Sequence, residues 1–381
     1  MRIAMLCFGL HAHHDACYRA LSELGDELLL VYPETMADLP YDHSQLGEYA
    51  QRHVWHSEAG IWKGEPPPGD VMVPLVRNFR PDVVMMMSWH GKGYRKVMQD
   101  QKGKALRVLY SENIWHNSAK QWLGRATHRV YVDPLYDCAF VPSDRAEWFV
   151  RRLGFPPDRV IRGALSGDVK LFERGARTGE ELAGRRRFLY SGRLVDHKNP
   201  DILALAYARY RQTVQDPWDL EVVGTGPLAS VFEGIEGVKM RGFLQPAEVA
   251  EEMHRSSCFI LPSWIDFYGV TAHEAATAGL PLILSDGVGA APHYLQDGFN
   301  GWTVAPGDVT GLADAMARMT ALGPARLRAM SDGSRSLARR LSPSIYATNF
   351  HEETARRVAA MSTGGGKRFR PVGADDASAG R

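Results

Sequence analysis

The chain has 381 residues, 45% of them hydrophobic and 23% charged, and a formal net charge of +1. Its length favours two or three domains with sizeable cores. The near-zero net charge gives no global reason to expect a nucleic acid partner. No apolar run is long enough to span a membrane, and the opening stretch MRIAMLCFG is predicted to be a core strand, not a cleaved signal. The cysteines Cys7, Cys17, Cys138 and Cys258 show no Cys-x-x-Cys spacing, so buried, reduced thiols in a cytoplasmic protein are expected.

Short apolar runs alternate with helical segments, which indicates parallel sheets covered on both faces. Strands are predicted at Ile3–Phe8, Leu28–Tyr32, Asp82–Met87, Val108–Tyr110, Ala139–Val141, Phe188–Tyr190, Leu220–Val223, Cys258–Leu261, Leu282–Leu284 and Trp302–Val304. Many of these runs are followed by Gly or Ser, and ligands of open α/β sheets bind beyond the carboxyl ends of strands. Because tight turns favour the same residues, this pattern supports a site without identifying it.

The sheet pattern pauses near residues 155–180, where Gly, Pro and charged residues dominate. This composition suits a linker between two domains, placed at 1–165 and 166–342. Residues 363–381 are rich in Gly and charge and lack apolar periodicity, so a disordered tail is predicted there.

The segment SGRLVDHKNPD, residues 191–201, combines two cations with a helix start. Asn199 is predicted to cap a helix that has Pro200 in its first position. Arg193 and Lys198 would then converge near a helix N-terminus, where an Arg fork and a Lys point charge suit a diphosphate. Taken alone, the pair could equally be two surface cations beside a capped helix.

Two carboxylates, Asp266 and Glu274, lie eight positions apart within residues 259–308. This stretch reads as strand, loop, helix, strand and glycine-rich loop. Carboxylates accept hydrogen bonds from sugar hydroxyls, and the unpaired N–H groups of a helix start attract phosphate. The arrangement therefore suits a polyhydroxylated, phosphorylated ligand. Asp266 on its own would read as a loop or helix-capping residue.

Together these segments resemble family-4 retaining glycosyltransferases, whose donor motif is two glutamates separated by seven residues. The resemblance is specific over residues 139–310, although the first carboxylate here is Asp, one methylene shorter than Glu. It is carried by Pro262-Ser263, Asp266-Phe267-Tyr268-Gly269, Glu274-Ala275, Gly279-Leu280-Pro281, Gly192-Arg193-Leu194 with Lys198, Gly224-Thr225-Gly226-Pro227 and Gly167-Asp168 with Phe172.

The resemblance implies an α/β protein of the GT-B type, in which two Rossmann-like domains with parallel sheets face a cleft. The first would serve the acceptor and the second the nucleotide-sugar donor, and a helix over 343–362 would return to the first domain. The implied enzyme is a metal-independent, retaining hexosyltransferase of polysaccharide biosynthesis. It would move a sugar from a nucleotide diphosphate sugar to the hydroxyl of a glycan, a lipid-linked molecule or a small molecule.

The resemblance also implies residue roles. Arg193 and Lys198 would hold the leaving diphosphate, Glu274 the nucleotide ribose and Asp266 the sugar. The nucleotide diphosphate sugar is a co-substrate and no other cofactor is expected, because the chain has no Asp-x-Asp motif and no recognisable metal-ligand set. Further donor contacts are expected from Gly9, Gly192, Gly224, Gly226, Gly242, Phe243, Tyr268, Gly269, Val270 and Thr271.

The chain departs from the family in its first domain. The loop FGLHAHHD has only Gly9 where relatives often carry a Gly-Gly pair, and Ser111 stands where many carry a histidine facing the donor sugar. His90 or His116 could replace that ring. The acceptor-side candidates are His13, His14, His90 and Glu112.

Two questions stay open at this stage. The basic residues of 91–129, interleaved with Trp115 and Trp122, could contact the inner face of an anionic membrane or form an ordinary solvated surface. The alternatives to a transferase are a GT-B sugar-nucleotide epimerase or phosphorylase, or a catalytically silent sugar-nucleotide-binding protein. The last is motivated by Ser111 and Asp266.

Overall fold

The computed structural model describes residues 1–33, 47–55 and 68–363. The predicted disordered tail lies outside the described residues except for Thr363. The strands are β1 (Arg2–Leu6), β2 (Glu27–Pro33), β3 (Gln51–Trp55), β4 (Val83–Met86), β5 (Leu106–Tyr110), β6 (Cys138–Val141), β7 (Val160–Arg162), β8 (Arg187–Ser191), β9 (Asp219–Val223), β10 (Val238–Gly242), β11 (Cys258–Leu261), β12 (Leu282–Ser285) and β13 (Gly301–Val304).

The helices alternate with these strands along most of the chain. They are α1 (Ala12–Glu23), α2 (Gly69–Phe79), α3 (Lys92–Asp100), α4 (Ala119–Tyr131), α5 (Asp144–Leu153), α6 (Val169–Phe172), α7 (Gly179–Arg185), α8 (Pro200–Thr213), α9 (Pro246–His254), α10 (Val270–Thr277), α11 (Ala291–Tyr294), α12 (Val309–Thr320), α13 (Pro324–Ala338) and α14 (Pro343–Ser362). Among the helices of the described ranges, none combines the length and apolar character needed to cross a bilayer.

The strands form two separate sheets in which every described pair is parallel. The first has the order β3-β2-β1-β4-β5-β6-β7 and the second β10-β9-β8-β11-β12-β13. Strands such as β4 and β11 are apolar and buried along their whole length, as expected when helices cover both faces of a sheet. The prediction of two Rossmann-like domains is confirmed. All four cysteines are buried, free thiols, also as predicted.

The strand order locates the crevices in which ligands of such sheets bind. In the first sheet the order reverses between β1 and β4, and in the second between β8 and β11. Chain segments leaving neighbouring strands on either side of such a switch point diverge and open a crevice. The loops after β8 and β11 carry the two predicted donor motifs, so the topology places both motifs beside one crevice.

The segment predicted as a pause in the sheet pattern is more ordered than expected. β7 lies inside it and pairs with β6, and α6 and part of α7 follow. The strand was not predicted because it is only three residues long and buries only Ile161 fully. The edge β3 was likewise not predicted.

The last helix, α14, packs on the first domain. The rings of Tyr346 and Phe350 lie 5.2 Å and 5.0 Å from the ring of Phe140 in β6. On the polar side, His351 Nδ1 lies 2.8 Å from a carboxylate oxygen of Asp26. The chain thus passes through the second domain and ends its described part against the first.

Candidate active site

Lys198 and Asp266 meet at the switch point of the second sheet. Lys198 ends a short 3₁₀ turn after β8, and its Nζ donates to Oδ2 of Asp266 in the loop after β11. The two side chains are only 17% and 14% exposed. A charge-assisted bond of this kind is stronger than a neutral one and is little screened when half-buried. The structure therefore joins two predicted site residues from separate motifs.

Arg193 lies in the same loop and is half-buried. The carbonyl of Arg193 accepts a hydrogen bond of 2.9 Å from the Tyr190 hydroxyl. The pKa of His197 is lowered, first by burial and then by the charges of Lys198 and Arg193, against the opposing effect of Asp266. Both cations therefore act electrostatically on the His197 ring of the same loop.

The start of α8 differs from the prediction at Asn199. Helix α8 does begin at Pro200, but Asn199 has a φ of 52° and its side chain caps nothing. Instead, its Nδ2 donates to the carbonyl of Pro262 at 3.0 Å. The left-handed backbone directs the amide away from the helix, and the bond ties the Lys198 loop to the loop that carries Asp266.

The predicted donor glycines hold three loops in close contact at the carboxyl edge of this sheet. A Cβ on Gly224 would lie 1.9 Å from the carbonyl of Gly192, and one on Gly226 would lie 2.3 Å from the carbonyl of Leu194. The Gly224 N–H also donates to the carbonyl of Gly242 at 2.7 Å. Only glycine permits these approaches, so the Gly-x-Gly sequence here serves loop packing. Phe243, the remaining candidate of this group, directly follows β10 and is half-buried.

The loop from Asp266 to Gly269 is fixed by backbone and phenol hydrogen bonds. Gly289 N–H donates to the Asp266 carbonyl at 2.8 Å, and the Tyr294 hydroxyl donates to the carbonyls of Tyr268 and Gly269 at 3.0 Å and 2.9 Å. The Tyr268 hydroxyl donates to the carbonyl of Leu165 in the first domain. The carbonyls of the loop are thus engaged. The first N–H groups of α10, those of Val270 and Thr271, have no intrahelical acceptor. Both groups can therefore bind an anion.

Glu274 lies on α10 with an unusual carboxyl group. Burial, and then the charge of Asp168, raises its pKa from 4.5 to about 8. Within the described ranges no hydrogen bond or ion pair reaches its carboxylate. Gly167 lies directly against it, because a Cβ on Gly167 would be 2.4 Å from Glu274 Cγ. An unpaired, desolvated carboxyl group of this kind is suited to bind a diol that enters the crevice.

Gly167 and Asp168 were not among the predicted site residues. They were named only among the segments that carry the family resemblance. The structure shows a second role, since one lies against Glu274 and the other raises its pKa. The neighbouring His273 is fully buried. Its Nδ1 accepts from Gly167 N–H at 3.1 Å, and its Nε2 lies 3.1 Å from the Ala338 carbonyl. These contacts give His273 a structural role in the core.

The first domain contributes a cluster of histidines at the start of α1. His14 Nε2 lies 3.2 Å from Glu112 Oε1, to which the Tyr110 hydroxyl donates at 2.7 Å. The His13 ring lies 4.2 Å from that of His14. Burial and the neighbouring rings hold the pKa of His13 well below its ordinary value. Burial would raise the pKa of Glu112, but the bonds to His14 and Tyr110 outweigh it and leave this pKa lowered.

One residue of this cluster acts electrostatically on Tyr268 in the predicted donor motif of the second domain. The pKa of Tyr268 is raised well above its ordinary value by burial first and then by Cys17 and Glu112. Gly9 is buried in the loop between β1 and α1, one turn before the histidines.

The two histidines proposed as replacements for the missing ring lie elsewhere. The His90 ring, after β4, lies 5.4 Å from the Trp89 ring and is tilted by 45° to it. His116 Nδ1 lies 3.3 Å from the Ile114 carbonyl. In the described part of the chain neither ring contacts Glu112. Ser111 itself is buried, and its Oγ accepts from Asn113. His14, from α1, is the histidine that contacts Glu112 in this loop.

Comparisons with known proteins identify what the chain is similar to. Residues 176–335 match the model of a family described as "Glycosyl transferases group 1". The matched segment contains the Lys198–Asp266 pair, Arg193 and Glu274. Thus the part of the chain that forms the crevice of the second sheet is the part with a family match.

Curated relatives cover only part of the chain. It is 31% identical over 140 residues to the glycogen synthase of Mycobacterium tuberculosis, which is 35% of this chain and 33% of that protein. It is 27% identical over 236 residues to the D-inositol 3-phosphate glycosyltransferase of Corynebacterium diphtheriae, 55% of each. The chain therefore spans about a third to about half the length of these relatives.

Solved structures extend the likeness to the whole fold. Anabaena Alr3699/HepE in complex with UDP-glucose superimposes with a TM-score of 0.71 at 15% identity, covering 94% of this chain and 100% of that one. Sucrose-phosphate synthase from Thermosynechococcus elongatus gives a TM-score of 0.70 at 17% identity, with coverage of 94% and 100%. This likeness shows a shared two-domain GT-B fold.

Proposed function

We propose that the chain is a retaining glycosyltransferase that moves a sugar from a nucleotide diphosphate sugar to an acceptor hydroxyl. The observation that carries the proposal is the Lys198–Asp266 ion pair at the switch point of the second sheet, with the unpaired carboxyl group of Glu274 on the adjoining helix. Cations, a sugar-facing carboxylate and a ribose-facing carboxylate are the three parts that such a donor requires. The comparisons support the same class of reaction, since the matched family and relatives are glycosyltransferases.

In this proposal the donor's diphosphate lies against Lys198, Arg193 and the first N–H groups of α10. Cleavage of the sugar–phosphate bond leaves negative charge on the departing diphosphate, and cations fixed in advance lower the barrier. Asp266, which pairs with Lys198 in the absence of donor, accepts from a sugar hydroxyl in the complex. Glu274 accepts from the ribose hydroxyls. No side chain of the crevice is assigned as a covalent nucleophile. The acceptor oxygen attacks from the side of the leaving group, whose phosphate oxygen takes the acceptor proton.

The first domain supplies the acceptor side. Glu112 directly follows Ser111, so the His14 ring bonded to Glu112 is brought to the loop where relatives carry their own histidine. We assign the His14–Glu112 pair to the sugar and acceptor hydroxyls. The acceptor stays unnamed within the classes given above: glycan, lipid-linked molecule or small molecule.

The test is release of free nucleoside diphosphate from a panel of UDP-, GDP-, ADP- and dTDP-sugars, followed by the anomeric configuration of any product by NMR. We expect release with at least one donor, retention of configuration, and equal rates in EDTA because Arg193 and Lys198 supply the charge that a metal otherwise brings. Donor binding without release would instead support the silent binding protein. Loss of turnover in EDTA, restored by magnesium, would refute metal independence.

We also propose that α4 contacts an anionic membrane surface. It exposes Trp122, Leu123, Val130 and Tyr131 at 45%, 64%, 73% and 57%, and basic residues lie between them. Apolar side chains interleaved with cations are typical of interfacial helices. Sedimentation with vesicles containing phosphatidylglycerol should be lost in a Trp122→Ser/Leu123→Ser variant and kept in Leu205→Ser, an exposed leucine of the second domain. Absence of wild-type sedimentation would favour the solvated-surface interpretation.

A further inference from the structure

A second polar cavity lies on the second domain, away from the crevice described above. It has a volume of about 780 Å³. Five arginines and one histidine line it together with two glutamates, Glu181 and Glu251. The basic residues are Arg174, Arg177, Arg185, Arg187, Arg255 and His254. The lining therefore carries an excess of positive charge even with the histidine neutral.

Three buried donors of this lining have no acceptor in the described part of the protein. They are Nη1 of Arg177, Nη1 of Arg185 and Nε2 of His254. The Arg177 side chain is only 6% exposed, and its Nη2 lies 2.6 Å from His254 Nδ1. Because a guanidinium only donates, Nδ1 must accept, and the histidine proton is on Nε2. A buried donor without a partner is destabilising, so three in one cavity call for a ligand with several acceptor oxygens.

The carboxylates nearby are already engaged. Glu251 pairs with Arg174, and Glu181 accepts from Thr178 N–H at 2.8 Å in the cap of α7. Neither Arg177 nor Arg185 forms an ion pair within the described ranges. Burial, followed by the charges of Arg185 and Arg335, lowers the pKa of Arg177 to about 9. The protein thus keeps a charged, desolvated arginine beside other cations, an arrangement that a bound anion would stabilise.

The cavity lies at the amino-terminal ends of the strands, whereas the candidate active site lies at their carboxyl ends. Arg187 begins β8, and His254 ends α9, which leads into the neighbouring parallel strand β11. The crevice is reached where these same strands end, at Ser191 and Leu261. Strands of four or five residues separate the two edges by about 15 Å. A ligand in the arginine cavity would therefore not occupy the donor crevice.

We propose that this cavity binds the phosphoryl group of a small, soluble phosphorylated molecule. Arg177, Arg185 and His254 supply the unpaired donors, and the remaining volume accommodates the body of a small metabolite. Arginine forks match phosphate oxygens in geometry and in charge. A lipid headgroup is disfavoured as the source of the phosphate, because the large exposed apolar side chains of the described residues, such as Trp122 and Leu123, are not in this lining.

Inorganic phosphate and glycerol 3-phosphate are suitable probes, measured by calorimetry. Since the active site could bind them too, the titration uses the Arg193→Ala/Lys198→Ala protein as background. We expect binding to persist there and to weaken at least about tenfold when Arg185→Gln is added. Arg186→Gln is the matched control, because it removes the adjacent arginine, whose guanidinium pairs with Asp216 outside the cavity. Arg177→Lys, which keeps the charge and loses the fork, should also weaken binding.

Each result decides the proposal. No binding to the background protein would show that water satisfies these donors and would overturn it, as would unchanged affinity in folded Arg185→Gln and Arg177→Lys proteins. An equal loss of affinity in Arg186→Gln would show that binding depends only on overall positive charge, and this would also overturn the proposal. Sedimentation with phosphatidic acid vesicles that Arg185→Gln abolishes would overturn the assignment to a soluble ligand.

Discussion

Glu274→Gln tests the proposed donor site through stability and binding at once. The pKa of Glu274 is about 8 in the folded protein against an ordinary 4.5, because the group is desolvated and lies near Asp168. Between these values the folded state holds more protons than the unfolded chain, so stability falls as the pH rises through this window. At about 1.36 kcal/mol per unit the loss amounts to roughly 4 kcal/mol at pH 8. Glutamine does not titrate and avoids this loss.

The expected result is a variant that is more stable but does not bind donor. In ligand-free melts the advantage of Glu274→Gln over wild type should grow from pH 5 to pH 8 and stay constant above it, whereas Glu233→Gln, at an exposed position, should show no such trend. Wild-type affinity for a nucleoside diphosphate should rise with pH up to about 8, because ribose hydroxyls donate to the ionised carboxylate. A pH-dependent stability gain with unchanged nucleotide affinity would refute the ribose assignment. A flat stability difference would refute the buried, raised pKa.

The diphosphate and sugar contacts can be separated by further substitutions. Lys198→Ala and Arg193→Ala should each weaken nucleoside diphosphate binding by about 1.5–3 kcal/mol in calorimetry, since each removes a charge-assisted contact. The control is Lys239→Ala, which replaces an exposed lysine paired with Asp219. Wild-type affinity in both Lys198→Ala and Arg193→Ala would contradict the phosphate assignment. Asp266→Asn should weaken binding of the intact sugar nucleotide but leave the bare diphosphate bound at least as tightly, because it frees Lys198. Much weaker binding of the bare diphosphate would show that Asp266 holds Lys198 in place and does not contact the sugar.

Lys198 and Asp266 of the candidate site were predictable because each lies close in sequence to a strand end. Lys198 follows β8 and Asp266 follows β11, and their contact depends on these two strands being neighbours in the sheet. The resemblance to a family supplied that adjacency, which the spacing of residues alone could not. Asn199 shows the limit of local rules. The Asn-Pro pair predicted a capped helix, but a long-range bond to the Pro262 carbonyl replaced the cap.

The first domain was less predictable for a related reason. His14 and Glu112 are 98 positions apart, and they meet only because β1 and β5 both end at the carboxyl edge of one sheet. His90 and His116 are closer to Ser111 along the chain and were therefore preferred as replacements. Their side chains contact other groups of their own loops instead. Proximity in sequence misleads wherever a site is assembled from the ends of several strands.

The return of α14 to the first domain predicts that the two domains depend on this helix. Its Phe350 is fully buried, with its ring centroid 5.0 Å from that of Phe140. Truncating a buried phenylalanine to alanine lowers the free energy of unfolding by about 3–5 kcal/mol. Phe350→Ala should lower the melting temperature markedly, whereas Met361→Ala, at a position 41% exposed near the end of the same helix, should not. A chain ended at Ser342 loses the whole helix and exposes the apolar surface of β6, so it should bind a hydrophobic dye and lose donor turnover, although the donor-site residues are all retained. If that shortened protein melts and turns over donor like the full chain, α14 does not hold the two domains in their working arrangement.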